Sequence, residues 1–279
     1  MQSMKGFPSY NNPPVGEVSI TVQFQKLATL RSLEMAEFRT LLTQFSRAEE
    51  HPLVPPTFEQ FPGRIPVMQS IEIQLLDVPP PPRYIFITES NDELIQLQQD
   101  RFGYNWRKAQ PSQDYPRYEK IVANFKKYLT LLSEFVKEKN LGQLVATQCD
   151  ITYSNQLQQG EGWETFSDVN KILNLETIKY APDFAHKPEA VEHTERHVIE
   201  LDGKPVGRLY IQAEPAFDLR AAKPILRLTL VARGKPLGAG TDGVLKFIDL
   251  GRKWVVEAFA ACTKPEIQKI WGKLDGANT

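Results

Sequence analysis

Two kinds of hydrophobic pattern divide the first half of the chain into strands and helices. Apolar residues alternate with polar ones in EVSITVQFQKL, which is typical of a half-buried strand, whereas apolar residues recur at helical spacing in longer segments. These patterns predict, in chain order, a strand at Glu17–Leu27, a helix at Leu33–Phe45, strands at Val67–Leu76, Tyr84–Thr88 and Leu94–Gln98, and a long amphipathic helix at Tyr118–Val136.

The second half predicts a similar series. A strand is followed by a short helix, a hairpin whose turn is the Asp202-Gly203 pair, a further strand and a long helix. The predicted bounds are Leu144–Tyr153, Phe166–Leu173, His197–Ala213 for the hairpin, Ile225–Val231 and Val244–Ala261.

Each half therefore follows the order strand, helix, three strands, long helix, and this predicts an α+β protein built from a duplicated unit. The first unit spans residues 15–140, after a flexible start at residues 1–14, and the second spans residues 141–279; both pack into one compact body. We expect antiparallel sheets with the long helices packed on one face. This arrangement resembles the saddle of the TATA-binding protein, and the analogy concerns the fold alone.

Composition places the chain among globular proteins and limits its partners. It is 41% hydrophobic and its formal net charge is −1, so no overall field attracts nucleic acid or an anionic membrane. Cys149 and Cys262 are too few for a disulfide framework. The segment Met1–Pro14 lacks the apolar run of a secretory signal, and no stretch is long enough to span a membrane, so we expect a cytoplasmic protein without a membrane partner.

The most unusual segment is Leu94–Tyr118, where glutamines, arginines and aromatic residues interleave. The charge also changes sign here, from acidic over Glu34–Asp100 to basic over Arg101–Lys139. Arginine beside Trp106 and other aromatic residues offers stacking surfaces and paired donors, which suit recognition of protein or single-stranded nucleic acid. The favoured interpretation is that the aromatic residues anchor a loop to the core; a partner-binding surface and a nucleic-acid surface are the alternatives.

Several stretches of the chain resemble one family of proteins. These are PPVGEVSITVQF, LIQLQQDRFGYNWRK, YPRYE, the Tyr153-Ser154-Asn155 strand and a final IWG. The chain resembles a sporadically distributed family of uncharacterised bacterial and archaeal proteins of about this length, for which no activity or cofactor is established. The resemblance implies no catalytic residue. With the polar-aromatic segment it gives our candidate partner-binding residues: Gln96, Gln98, Arg101, Asn105, Trp106, Arg107, Tyr153 and Asn155.

The remaining polar residues do not form a familiar catalytic, metal-binding or cofactor-binding motif. His193 and His197 lie four apart near a predicted strand, too far apart for one metal ion, and no third ligand is evident. The stretch GAGTDG fits a dinucleotide fingerprint, but it follows a hairpin, so we interpret it as a turn with Thr241 or Asp242 capping the last helix. We predict no catalytic residue, no metal and no cofactor.

Three hypotheses for function follow. The first is a non-enzymatic binding or adaptor protein that engages a protein partner through the sheet face or the segment Arg101–Tyr118; a homodimer is also plausible. The second is a nucleic-acid-binding protein that uses the basic aromatic segment. The third is an enzyme whose site is assembled between the two halves.

Overall fold

The fold is given by a computed structural model that describes residues 7–61, 81–175, 188–219 and 221–274. The predicted strand Val67–Leu76 lies outside these residues. The strands, in chain order, are β1 Ser9–Tyr10, β2 Val15–Phe24, β3 Arg47–His51, β4 Arg83–Ile87, β5 Glu93–Gln98, β6 Arg101–Arg107, β7 Ala146–Gln158, β8 His193–Leu201, β9 Lys204–Asp218, β10 Lys223–Gly234 and β11 Lys273–Leu274. The helices are α1 Ser32–Thr40, α2 Tyr118–Glu138, α3 Val169–Ile172, α4 Gly240–Cys262 and α5 Pro265–Ile270; a single 3-10 turn, Phe166–Asp168, precedes α3.

A large antiparallel sheet forms the body of the protein. Within the described residues it has nine strands in the order β3-β4-β5-β6-β2-β7-β10-β9-β8. The central strand, β2, and its neighbour β7 come from different halves of the sequence, and Ile20 lies opposite Ile151 in their pairing. Outside this sheet, β1 pairs with β11. The prediction of an α+β protein with antiparallel sheet is therefore confirmed, although strands make up more of the structure than helices do.

The central strands form because their side chains alternate between two environments. In β2, Val18, Ile20 and Val22 are buried in the core, while Ser19 between them is partly exposed. A strand places successive side chains on opposite faces, so this sequence gives the sheet one apolar face. We use "apolar face" for the side of the sheet that carries Ile20.

Each of the two long helices packs against strands of the sheet. In α2, Phe125 packs against Phe102 of β6, with ring centroids 6.1 Å apart. In α4, an added Cβ on Gly251 would lie 3.0 Å from side-chain atoms of both Ile151 and Ala232, so a larger residue there would push the helix away from the sheet. The stripe of buried residues along α2 matches the predicted amphipathic helix.

Some predicted bounds and caps differ from the structure. The first helix ends at Thr40 rather than Phe45. Leu42 and Phe45 lie in the tight turns that follow the helix, and their side chains are buried there, so they have the apolar character of helix positions without being helical. The last long helix is not capped by Thr241 or Asp242, since its N-cap position is Ala239. The hairpin turn at Asp202-Gly203 is confirmed, and both residues have the positive φ that such a turn requires.

Candidate interaction face

The side of the sheet opposite the apolar face is polar, and we call it the polar face. Cross-strand partners in an antiparallel sheet share a face, so the register assigns its members: Thr21 of β2, for example, lies opposite Gly103 and Asp150. The polar face comprises Glu17, Ser19, Thr21 and Gln23 on β2; Gln96 and Gln98 on β5; Arg101, Asn105 and Arg107 on β6; Gln148, Asp150, Thr152, Ser154 and Gln156 on β7; Arg208, Tyr210, Gln212 and Glu214 on β9; and Arg227, Thr229 and Arg233 on β10.

Five of the eight candidate residues lie on this face. Arg101–Arg107 forms strand β6 rather than a loop, although its aromatic residues are buried in the core as the anchoring interpretation predicts. Gln96 donates to Asn105 over 3.0 Å, and Asn105 donates to Glu17 over 2.6 Å. Arg107 donates to the backbone carbonyl of Asn91 over 2.8 Å. These five residues are Gln96, Gln98, Arg101, Asn105 and Arg107.

The other three candidates point to the apolar face and brace the core. Trp106 is 3% exposed and its ring lies 5.5 Å from that of Tyr115. The hydroxyl of Tyr115 lies 3.0 Å from that of Tyr153. Asn155 is buried and donates to the carbonyl of Leu228 over 3.0 Å. The eight predicted residues therefore do not form one cluster, because β6 and β7 divide them between opposite sides of the sheet.

An extended segment of the chain itself lies on the polar face. Residues 52–61, with the sequence PLVPPTFEQF, leave β3 without forming a helix or strand, and we call them the strap. Gln98 accepts from the amide of Val54 over 3.2 Å and donates to its carbonyl over 2.9 Å. Gln23 does the same to Thr57, with both distances 2.8 Å. Two glutamines of the polar face thus each bind both backbone groups of one strap residue.

Arginine side chains hold the strap at two further points. Arg101 donates to the carbonyl of Pro55 over 3.0 Å. Further along, Glu59 pairs with Arg208 over 2.5 Å and accepts from the hydroxyl of Tyr210 over 2.7 Å. The strap therefore crosses the sheet from β5, over β6 and β2, to β9.

Carboxylates neutralise most of the arginines of the polar face. Arg208 pairs with Glu59 of the strap, and Arg227 pairs with Glu214 over 2.7 Å. Arg233 lies 3.8 Å from Asp150. Burial raises the pKa of Asp150, while the positive charges of Arg233 and Arg101 oppose that shift. The face consequently offers few uncompensated cations to a polyanion.

The motifs considered as metal or cofactor sites have local structural roles. His193 and His197 lie on β8, and each contacts Glu195 between them, at 2.6 and 3.0 Å. In the described part of the chain, no group of three or more His, Cys, Asp or Glu residues is placed to hold a metal ion. In GAGTDG, a Cβ on Gly243 would meet the carbonyl oxygen of Gly238 at 2.0 Å, so the turn closes on its own backbone.

Two of the residues that bind the strap, Gln98 and Arg101, were among the predicted candidates, and the others were not. Gln23, Arg208 and Tyr210 belong to correctly predicted strands, yet nothing local distinguishes them from other polar positions. Glu59 lies in the proline-rich link. The sequence feature that could have indicated the strap was this proline-rich link, because prolines favour an extended chain and remove backbone donors.

Comparison with known proteins adds no family assignment. No protein-family model, no curated protein and no solved structure matches the chain. The predicted family resemblance accordingly stays a prediction. Across the described residues, none of the helices has the length and apolar character needed to cross a membrane.

Proposed function

We propose that this protein is a non-enzymatic binding or adaptor protein whose polar face holds an extended segment of a partner polypeptide. The observation that carries the proposal is the strap, an extended peptide held on that face by side chains. Because Gln23 and Gln98 bind backbone groups, this mode of recognition places few demands on the sequence of the bound segment.

The part of the polar face beyond the strap has the same chemistry. Ser19, Thr152, Ser154 and Thr229 are partly exposed, and Gln212 is exposed. Hydroxyl and amide groups can both donate and accept, as a peptide backbone does. A second extended segment could therefore lie beside the strap across the same strands.

A nucleic-acid partner is the second hypothesis, and the charges of the polar face weigh against it. Binding to nucleic acid depends on Lys and Arg side chains that neutralise phosphates. Here Arg208, Arg227 and Arg233 lie beside carboxylates of the protein itself. A polypeptide, which needs hydrogen-bonding groups more than net charge, suits this surface better.

An enzyme with a site between the halves is the third hypothesis. The halves meet at the β2–β7 pairing, where Asp150 is a buried carboxyl group. Its nearby charges are Arg101 and Arg233. A carboxylate paired with Arg233 and close to the positive charge of Arg101 serves as a structural counter-ion, whereas general acid–base catalysis favours a second acid or a histidine close by.

We also propose that the protein is cytoplasmic and that its two halves are duplicated units that form a saddle. The strand order supports the duplication, since β4-β5-β6-β2 on one side corresponds to β8-β9-β10-β7 on the other. β3 and β8 are the outermost of the described strands, and exposed charged residues on each, Glu49 and Glu50 on β3 and Arg196 and Glu200 on β8, disfavour a homodimer formed by strand addition.

Binding of the strap peptide in trans tests the proposed function. The strap would be replaced by a Gly-Ser linker of equal length, and a labelled peptide PLVPPTFEQF added at constant ionic strength. We expect saturable binding to this variant and at least about 10-fold weaker binding to the wild type, whose face is already occupied by a tethered competitor. Methylation of the peptide amides at Val54 and Thr57 should abolish binding, because it removes the donors bound by glutamine.

The matched control is the same linker variant with Gln23→Ala and Gln98→Ala. A folded linker variant that fails to bind the peptide at about 1 mM would refute the proposal. If the linker variant does not fold, amide exchange at Val54 and Thr57 in the wild type replaces it; exchange only through global unfolding would then count against an accessible peptide site. Salt-sensitive binding of single-stranded DNA in place of peptide would favour the second hypothesis.

A further inference from the structure

A small pocket lies on the apolar side of the sheet, separate from the strap. Its volume is about 60 Å³, and its wall includes Tyr115 and Tyr153, together with Arg117 and Arg252. None of the described residues that line it is acidic. The pocket therefore contains two cationic side chains and no carboxylate.

Arg252 is the main charged group of this pocket. Its guanidinium carbon lies 5.5 Å from the ring centroids of both Tyr118 and Tyr153, so the side chain is held between two aromatic rings. Nε and Nη1 are buried and have no hydrogen-bond partner among the described residues. The nearby carboxylate of Asp249 accepts a hydrogen bond from Tyr118, over 2.6 Å. Two buried guanidinium nitrogens without acceptors are unusual, because charged donors in protein interiors are normally paired.

The two tyrosine hydroxyls add a further donor. Tyr115 and Tyr153 lie 3.0 Å apart at their oxygens, and one hydroxyl hydrogen occupies that contact. Burial raises the pKa of both phenols, so both hydroxyls stay protonated at neutral pH. The second hydroxyl hydrogen is consequently available to an acceptor in the pocket.

A larger cleft adjoins this pocket. It has a volume of about 600 Å³ and shares Pro13, Val15, Tyr115 and Arg117 with the smaller pocket. Side-chain amides are common in its wall, at Asn11, Asn12, Gln113, Gln156 and Gln158. A ligand whose anionic end enters the small pocket would thus place its body among hydrogen-bonding groups.

We infer that Arg252 and the Tyr115–Tyr153 pair form a binding site for the carboxylate of a carboxylate-headed ligand whose polar body lies in the cleft. The site holds a planar anion of this size, since about 60 Å³ admits a carboxylate and one or two carbons. Arginine pairs with carboxylates in plane, and Nε and Nη1 of Arg252 have no partner among the described residues. A free organic acid and the C-terminus of a peptide share this chemistry.

Titration with matched acids and amides tests the site. The probes are propionate, propionamide, and N-acetyl-trialanine as its free acid and as its C-terminal amide. Each is added up to about 10 mM at constant ionic strength, which detects a Kd of about 1 mM or tighter. Binding is followed by calorimetry and by the ¹⁵N resonance of the Arg252 Nε group. We expect the acids to bind and to shift that resonance, and the amides to do neither.

Variants then assign the binding to the pocket. Arg252→Gln should weaken acid binding at least about 10-fold, because it removes the charge and most of the donors, while Arg252→Lys should weaken it less. The control is Arg227→Gln, an arginine on the opposite face of the sheet, which should leave acid binding unchanged. If Arg252→Gln does not fold, the wild-type resonance still decides.

The relative affinities of the two acids show whether the natural ligand is a polypeptide C-terminus or a small organic acid. Tighter binding of the tripeptide acid than of propionate indicates a polypeptide C-terminus, and the reverse indicates a small organic acid. Equal binding of acids and amides, acid binding that leaves the Arg252 resonance unmoved, or no binding by any acid would each overturn the inference. Because the strap lies on the other face of the sheet, a failed peptide-strap experiment would leave this test unaffected.

Discussion

Removing the Glu59 carboxylate should release the strap from the sheet. Glu59 bonds to Arg208 and Tyr210 of β9, and its side chain is only 3% exposed. The change Glu59→Ala removes both contacts and leaves the guanidinium of Arg208, 13% exposed, without its carboxylate. Arg208 keeps its hydrogen bond to the carbonyl of Gln60, so its loss of partners is partial.

The expected cost follows from these contacts. A hydrogen bond to a charged group contributes about 1.5–3 kcal/mol and a neutral one about 1 kcal/mol, whereas breaking a fully buried ion pair costs about 3–5 kcal/mol. Since Arg208 retains one acceptor, we expect Glu59→Ala to destabilise the attached strap by about 3 kcal/mol. That corresponds to a rise of about 100-fold in the population of detached strap.

Local and global stability must be measured together. Amide exchange at Val54 and Thr57, whose N–H groups donate to Gln98 and Gln23, reports detachment of the strap. Chymotrypsin cleavage at Phe58, already 52% exposed, provides an independent rate. Denaturant unfolding reports the sheet. We expect faster exchange and cleavage at the strap and a smaller loss in global stability, because the strap can detach without unfolding of the sheet.

The matched control is Glu214→Ala, which breaks the exposed pair with Arg227. These side chains are 42% and 46% exposed, so the loss should be within about 1 kcal/mol and the strap should not respond. If Glu59→Ala stays within about 0.5 kcal/mol of the wild type and strap exchange does not change, the contacts at Glu59 do not hold the strap.

Four further outcomes are expected. Trp106→Ala should cost about 3–5 kcal/mol in denaturant unfolding, because Trp106 is buried in the core; a loss below about 1 kcal/mol would show that it does not brace the fold. Gln148→Met should be neutral or stabilise by about 1 kcal/mol, since the Gln148 amide is buried without partners in the described residues, and a loss above about 1.5 kcal/mol would contradict this. In a thiol-reagent assay at pH 8, Cys149 and Cys262 should react far more slowly in native than in denatured protein, because burial raises the pKa of both thiols, that of Cys262 to about 12; native rates equal to denatured ones would be inconsistent with this burial. Hydrogen bonds from its two histidine neighbours lower the pKa of Glu195, so its stabilising effect, about 0.5 kcal/mol, is present above its usual pKa near 4.5 and is lost as pH falls through the lowered pKa. Glu195→Gln should therefore melt below the wild type at pH 7, and this difference should shrink as pH falls through the lowered pKa; equal melting at pH 7 would contradict it.

The sequence patterns predicted those helices and strands in which one side is apolar and buried and the other is more polar. The strand Val15–Phe24 and the helices Tyr118–Glu138 and Gly240–Cys262 each bury one side, so their hydrophobic residues recur with the period of the element. The strand Arg47–His51, the outermost of the described strands on its side of the sheet, was not predicted, because its residues are exposed or partly exposed and have no apolar period. Pattern analysis detects burial, and an edge strand of charged residues buries little.

The strand Arg101–Arg107 was missed for a different reason. In RFGYNWR, Phe102, Tyr104 and Trp106 face the apolar side while Asn105 faces the polar side, so the alternation is present. It was obscured by the surrounding polar sequence, which favoured an aromatic loop. Once the segment is a strand, its alternation also explains why the predicted site residues divide between two faces.

Contacts of the strap could not be predicted from local sequence. Gln23 and Thr57 are 34 residues apart, and Glu59 and Tyr210 are 151 apart. Such contacts depend on the strand order, which brings β5, β6, β2 and β9 under one extended segment. The polar-aromatic segment was therefore a correct starting point for the face, while the peptide lying across it became apparent only from the tertiary structure.

The central position of β2 determines the order in which the sheet can be completed on the ribosome. β2 is synthesised early, yet its neighbours are β6 and β7, and β7 emerges only after the whole of α2. Until then, one hydrogen-bonding edge of a strand rich in valine and isoleucine has no partner. A nascent first half therefore exposes an aggregation-prone edge, and we expect chains truncated before residue 146 to depend on chaperones or to precipitate.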